Sequence, residues 1–294
     1  MKLIVKFNLL LAAVFLIGLG ASYYYARDLL QANALAEIQG NARIMMESAL
    51  AVRAYTNSQI TPLLATQQRY QFMPQSIPSY SAVEYFKNLR KRFPEYDYKE
   101  ATINPTNPRD RAVDWEVDIV NHFVKNAQVT ELMGDRVGPL GRTLYLAKPL
   151  RITDPACLVC HSTPEAAPQT MIEQYTPING GFGGFKWQLN DVVGAQIVSV
   201  PYAVPVERAD AVLVRLQYLL GGVYLFLFVA LNVLLCTLVL RPVSRLSRIA
   251  DQVSVGAMDA PEFPTQGGDE IAALGTSFNR MRRSLVEALR LLDK

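Results

Sequence analysis

The chain has 294 residues, half of them hydrophobic, and a net charge of +3. That length allows one sizeable core with accessory segments. The basic residues form no stripe interleaved with aromatics, which excludes nucleic acid as a partner, and the two histidines belong to no Ser-His-Asp set, which argues against a hydrolytic enzyme.

Residues 1–6 carry Lys2 and Lys6. Residues 7–25, FNLLLAAVFLIGLGASYYY, are apolar apart from Asn8. They match the ~20 residues a helix needs to cross a bilayer, and Tyr23 to Tyr25 suit an interfacial aromatic belt. A cleaved signal peptide is the competing reading; the length of the run and the presence of a second span argue against it. Residues 26–61 then predict one long helix ending near Pro62. Leu35, Ile38, Ala42, Met45, Ala49 and Val52 recur at steps of three and four, a coiled-coil seam. YKEATIN predicts a strand from about residue 97. NPTNPRDRA predicts a turn, and WEVDIVNHFVKN an amphipathic helix with Trp115, Ile119 and Phe123 on its apolar stripe. GRTLYLAKPLRI predicts a longer strand, and FGGFKWQLNDVVGAQIVSVPYA two strands around an Asn190–Asp191 turn. NGGFGGF lets backbone pass close to a flat group. Helices against an antiparallel sheet give an α+β domain over residues 26–212.

Residues 213–240 form the second apolar span, followed by Arg241, Arg245 and Arg248. Basic residues flank both spans on the same side. Both termini are therefore expected in the cytoplasm and residues 26–212 in the periplasm, as in a two-pass protein of a bacterial inner membrane. Residues 241–294 begin with Pro242 at a helix start. A connector rich in Gly and Pro (Gly256, Pro261, Pro264, Gly267, Gly268) breaks that helix. Ile271, Leu274, Phe278, Met281, Leu285, Ala288 and Leu292 then repeat with coiled-coil spacing, and Asp269 and Glu270 suit the positive end of the second helix.

The chemistry concentrates in DPACLVCHSTPE, residues 154–165. C-x-x-C-H is the attachment spacing for c-type haem: Cys157 and Cys160 bond the two vinyl groups and His161 becomes the proximal iron ligand. A Cys157–Cys160 disulfide would not need the histidine. A zinc site would need four ligands, and His122 alone remains to help. Cys236 lies in the second span and reads as a small apolar residue. The sixth iron position is open to a methionine, to His122 or to a gas. Met46, one place off the seam and beside Met45, is the preferred methionine; Met73, Met133 and Met171 also lie outside the membrane. Arg53 and Tyr55 in AVRAYT are candidate partners for a haem propionate.

Residues 240–292 resemble a HAMP linker through Pro242, the Gly256 connector and the stretch from Asp269 to Met281. VRAYTNSQITPLL, INPTNPRD, CLVCHSTPEAAP and GFGGFKWQLNDVVGAQIVSVP resemble the PAS-like periplasmic sensor domain that carries a single c-type haem. The resemblance implies an α+β PAS-like periplasmic domain with a long N-terminal helix, two transmembrane helices and a cytoplasmic HAMP coiled coil. It also implies a receptor, not an enzyme, that senses redox state or a diatomic gas through one covalently attached haem c. The expected partners are a second copy, paired through the N-terminal helix and HAMP, and a cytoplasmic signalling protein. The chain stops just after the second HAMP helix, so that output is expected to be separate, or the receptor truncated or split. The rival function is a membrane-anchored electron-transfer c-type cytochrome, which leaves HAMP idle.

Overall fold

The computed structural model describes residues 3–138, 141–179, 183–257, 259–263, 265 and 267–292. Lys2, Pro264 and residues 180–182 of the NGGFGGF stretch lie outside them. Contacts divide the chain into two units, Tyr24–Leu213 and Met1–Tyr23 with Val214–Lys294.

The unit Tyr24–Leu213 begins within a long helix, α1 (Leu3–Tyr55). Helix ends at Leu64, two residues past Pro62 and close to the end expected. A π-helical turn, Thr56–Ile60, leads without a break into α2 (Thr61–Leu64), whose second residue is Pro62. The single Thr61 hydroxyl proton has two carbonyls within reach, that of Ser76 at 2.7 Å and that of Thr56 at 3.0 Å. Then come α3 (Pro78–Leu89), β1 (Asp97–Thr102), α4 (Asp114–Lys125), β2 (Leu132–Gly138), β3 (Gly141–Arg151), α5 (Leu158–His161), α6 (Gln169–Asn179), β4 (Val192–Pro201) and the first turns of α7 (Ala203–Leu234). The four strands form one antiparallel sheet in the order β1-β4-β3-β2.

Period-two alternation gives the sheet two apolar faces. Tyr98, Leu144, Leu146, Val198 and Val200 pack against Ile38, Ala42, Met45, Met46 and Ala49 of α1 and Ala82 and Phe86 of α3. On the other face Ala101, Ala147, Ala195 and Ile197 pack against Ile119, Val120 and Phe123 of α4. The antiparallel sheet carrying helices is the α+β architecture expected. The seam of α1 has a different use from the one expected. Ile38, Ala42, Met45 and Ala49 are buried in the chain's own core, so that stripe is not available to a second copy. One further strand was expected before Asn190. Gly184, Lys186 and Asn190 all have positive φ there, which breaks an extended run, and only β4 forms.

The other unit contains the start of α1, the rest of α7, a π-helical segment Leu235–Leu240, α8 (Arg241–Ser254) and α9 (Glu270–Leu292). Among the described residues, two helices are long and apolar enough to cross a membrane. Phe15 of α1 stacks on Tyr224 of α7 at 4.9 Å, and Gly18 leaves room for the Tyr224 hydroxyl. Leu246 and Ile249 of α8 share a small core with Ala260 and Phe263 of the connector and Phe278 of α9. Buried Asn279 pins that connector, bonding both N–H and C=O of Phe263 at 2.9 Å. Asp269 caps α9 by accepting from Ala272 N–H.

Candidate functional site

The CLVCH segment is held by its own start. The Asp154 carboxylate accepts from Ala156 N–H at 2.8 Å and caps a 3-10 turn, Pro155–Cys157, that runs into α5. At that spacing Cys157 and Cys160 lie on one side of a single helical turn. Both thiols are free and half-buried. Burial pushes both above the usual thiol range; Asp154 adds to this at Cys157 and Arg53 opposes it.

His161 is fixed from three directions. Its Nδ1 lies 2.6 Å from the Gly184 carbonyl and donates to it. Trp187 stacks on the ring with centroids 3.9 Å apart and planes 14° apart. Trp187 N–H donates to the His161 carbonyl and Lys186 N–H to that of Ser162. Burial lowers the His161 pKa, and the weaker effect of the Gly184 bond acts the other way. In the neutral ring, donation from Nδ1 to Gly184 leaves the lone pair on Nε2. Gly183 and Gly184 permit this arrangement: a Cβ would overlap the Pro105 carbonyl at the first and the Thr106 hydroxyl at the second. The close approach read from the glycine-rich stretch is thus an approach to the 105–106 loop.

Cys157, Cys160, His161 and Trp187 line a cleft of about 270 Å³. Arg53 of α1, Asn57 of the π-helical turn, Tyr80, Glu100, Arg109 and Asp110 line it too. Arg53 Nη1 donates to both carboxylate oxygens of Glu100 at 2.6 Å, and the Tyr98 hydroxyl donates to the same buried group at 2.7 Å. Arg53 is thus brought to the cleft as expected but is already paired with a carboxylate. Arg109 is held by Glu84 at 2.6 Å beneath the Tyr80 ring. Asp110 is pushed up to about 6, first by burial and then by Glu100, with Arg109 opposing.

Other expected site residues lie elsewhere. Met46 is fully buried and Met45 nearly so, both in the core between α1 and the sheet, because that face of α1 is the one the sheet covers. Tyr55 is 59% exposed and His122 faces solvent on α4; neither lines the cleft. The methionine that does is Met171 of α6, buried beside Cys160, Phe72 and Phe185. Its proximity to the motif comes from tertiary packing of α6, and no local spacing announces it. In the sequence Gly184 reads only as part of a close backbone approach and Trp187 is not singled out, although Gly-Gly-Phe-Lys-Trp after a cysteine-histidine motif signals a backbone able to fold back on it. Among the described residues, no three His, Cys, Asp or Glu side chains cluster as a metal site.

Residues 31–201 match the family model described as Tll0287-like, and residues 237–287 match the HAMP domain model. No curated protein matches the chain. Among solved structures, the cyanobacterial heme-protein Tll0287 is similar, with 14% identity over 56% of this chain and 95% of that one, at a TM-score of 0.43.

Proposed function

The chain belongs to the Tll0287-like family, and from that premise we propose that it is a membrane-anchored signal receptor whose sensor domain carries one c-type haem. The protein that shares the family's name is described as a heme-protein, and the HAMP match supplies a signal-relay element. Cys157 and Cys160 hold the group as thioethers and His161 is its proximal ligand. The observation that carries this reading is the His161 ring. A metal-ligating imidazole has its second nitrogen committed to an acceptor, which sets the tautomer and the plane; Nδ1 of His161 is so committed to Gly184. The thiols agree, because burial disfavours their thiolate form and with it thiolate ligation and disulfide exchange. Haem supplies an iron whose oxidation state or gas ligation changes with the environment.

The input is the redox state or a diatomic gas. The signal leaves through α1, whose Arg53 is tied to buried Glu100 in the same cleft, and through α7, which runs on to α8 of HAMP. The proposed layout is a cytoplasmic segment 1–6, spans 7–25 and 213–240, a periplasmic sensor 26–212 and a cytoplasmic HAMP 241–294. A homodimer and a cytoplasmic signalling partner complete it. The dimer contact moves from the buried α1 seam to α9, where Leu274, Met281 and Leu285 are exposed.

The test is the absorption spectrum of the full chain made with haem-maturation machinery, oxidised and reduced, with and without carbon monoxide and nitric oxide. Haem should stay with the chain after denaturation and be lost from Cys157→Ser with Cys160→Ser. His161→Ala should keep the haem and lose the native low-spin bands. A chain without covalent haem sinks the proposal. A spectrum that ignores both gases assigns redox input; one that shifts assigns gas input.

A further inference from the structure

Trp187 lies outside the CLVCH segment, yet its backbone is bent to reach one residue of it. Lys186, just before it, has φ +68°, a left-handed conformation that costs free energy in a non-glycine residue. Gly184, two residues earlier, has φ +80°. The strained turn does three things at once: it brings the Gly184 carbonyl to His161 Nδ1, the Trp187 N–H to the His161 carbonyl, and the indole face to within 3.9 Å of the imidazole. The Gly184 bond fixes the tautomer but leaves the ring free to rock about its hydrogen-bond axis. A parallel aromatic plane removes that freedom.

We propose that Trp187 is a positioning residue for His161: it holds the plane of the imidazole in the cleft, so that Nε2 is oriented before any group is bound. The proposal rests on the haem reading for its consequence, since the plane of an axial imidazole sets how it overlaps with the iron. Its structural half stands apart from that reading. The strain at Lys186 is offset by the contacts this turn makes, the ring stack among them.

Two variants of the full chain decide the matter. Trp187→Leu removes the aromatic plane; Trp187→Phe keeps one. Histidine labelled in the ring reports on two residues only, His122 and His161. In Trp187→Leu the His161 ring signal should broaden or move while the His122 signal stays; in Trp187→Phe it should stay near wild type. In the haem-loaded chain, Trp187→Leu should keep full covalent haem. It should alter the rhombicity of the ferric electron paramagnetic resonance spectrum and change the oxidised-to-reduced ratio at fixed poise about threefold, ~30 mV for a one-electron couple. An unmoved His161 signal in Trp187→Leu, or unaltered resonance and potential at full haem content, reduces Trp187 to packing. If wild type carries no covalent haem, the function reading fails, and the ring spectra alone still decide whether Trp187 positions His161. Should Trp187→Leu not fold, Trp187→Met, which also lacks a ring, takes its place against Trp187→Phe, and a His161 signal equally unmoved in both overturns the stack as the cause.

Discussion

Gly184 sits at φ +80° with no room for a side chain beside Thr106. Alanine there meets both penalties, so Gly184→Ala should lower stability by about 1–3 kcal/mol, read from the unfolding of the full chain. The same change should loosen the Nδ1 bond of His161, and so weaken the low-spin bands of a haem-loaded chain. Asp110 gives a pH-dependent counterpart. Its carboxyl sits at about 6 in the fold against an ordinary 3.8. The folded state thus holds the proton more tightly than the unfolded state, so Asp110's contribution to stability is fully present below about pH 4 and is lost as pH rises from about 4 to 6. The groups that face it are Glu100, which raises it, and Arg109 and Lys99, which lower it. Asp110→Asn removes that slope and should gain on wild type by roughly 1–3 kcal/mol between pH 4.5 and 7. Denaturant titrations of both chains at the two pH values check it; parallel pH dependence would exclude Asp110 as the source.

At the scale of elements, α1 shows what its sequence pattern conveyed and what it did not. Steps of three and four at Ile38, Ala42, Met45 and Ala49 announce a buried stripe, and the stripe is buried. What covers it is not a local property. A helix that packs on a sheet and one that packs on a twin write the same spacing, and only the fold shows Tyr98, Leu144 and Val198 opposite it. The strands at 97 and 141 were legible from β-branched and aromatic content. β2 was not: Leu132–Gly138 is an edge strand with Asp135, Arg136 and two glycines, and edge strands need neither alternation nor apolar content on their open side. The CLVCH segment was legible because it is contiguous; its partners Glu100, Met171 and Trp187 were not, because they come from separate elements. Met46 tests the element directly. Met46→Ala should cost about 2–5 kcal/mol as a core cavity. Met46→Leu should cost under about 1.5 kcal/mol and leave a haem-loaded spectrum unchanged. A rise in high-spin absorption with Met46→Leu would return the methionine to the iron.

For the whole molecule, the decisive surface is on α9. Its heptad divides into two sets. Ile271 and Phe278 pack with Leu246, Ile249 and Phe263 of the same chain. Leu274, Met281 and Leu285 remain 43–59% exposed, a stripe at coiled-coil spacing outside the small core that Ile271 and Phe278 join. Apolar groups at that spacing bury against an equivalent helix, and each half-buried Leu or Met gains about 1 kcal/mol on being covered. Met281→Glu with Leu285→Glu removes two such groups from each copy, roughly 4 kcal/mol across a dimer, or about a thousandfold in dissociation constant. The added charges repel one another and deepen the effect. Because both positions are exposed within one chain, the fold of α8, the connector and α9 should change by less than about 0.5 kcal/mol. Sedimentation of the full chain in detergent should therefore shift from dimer towards monomer while helix content stays constant. A dimer that survives the double substitution would place the contact between copies away from α9.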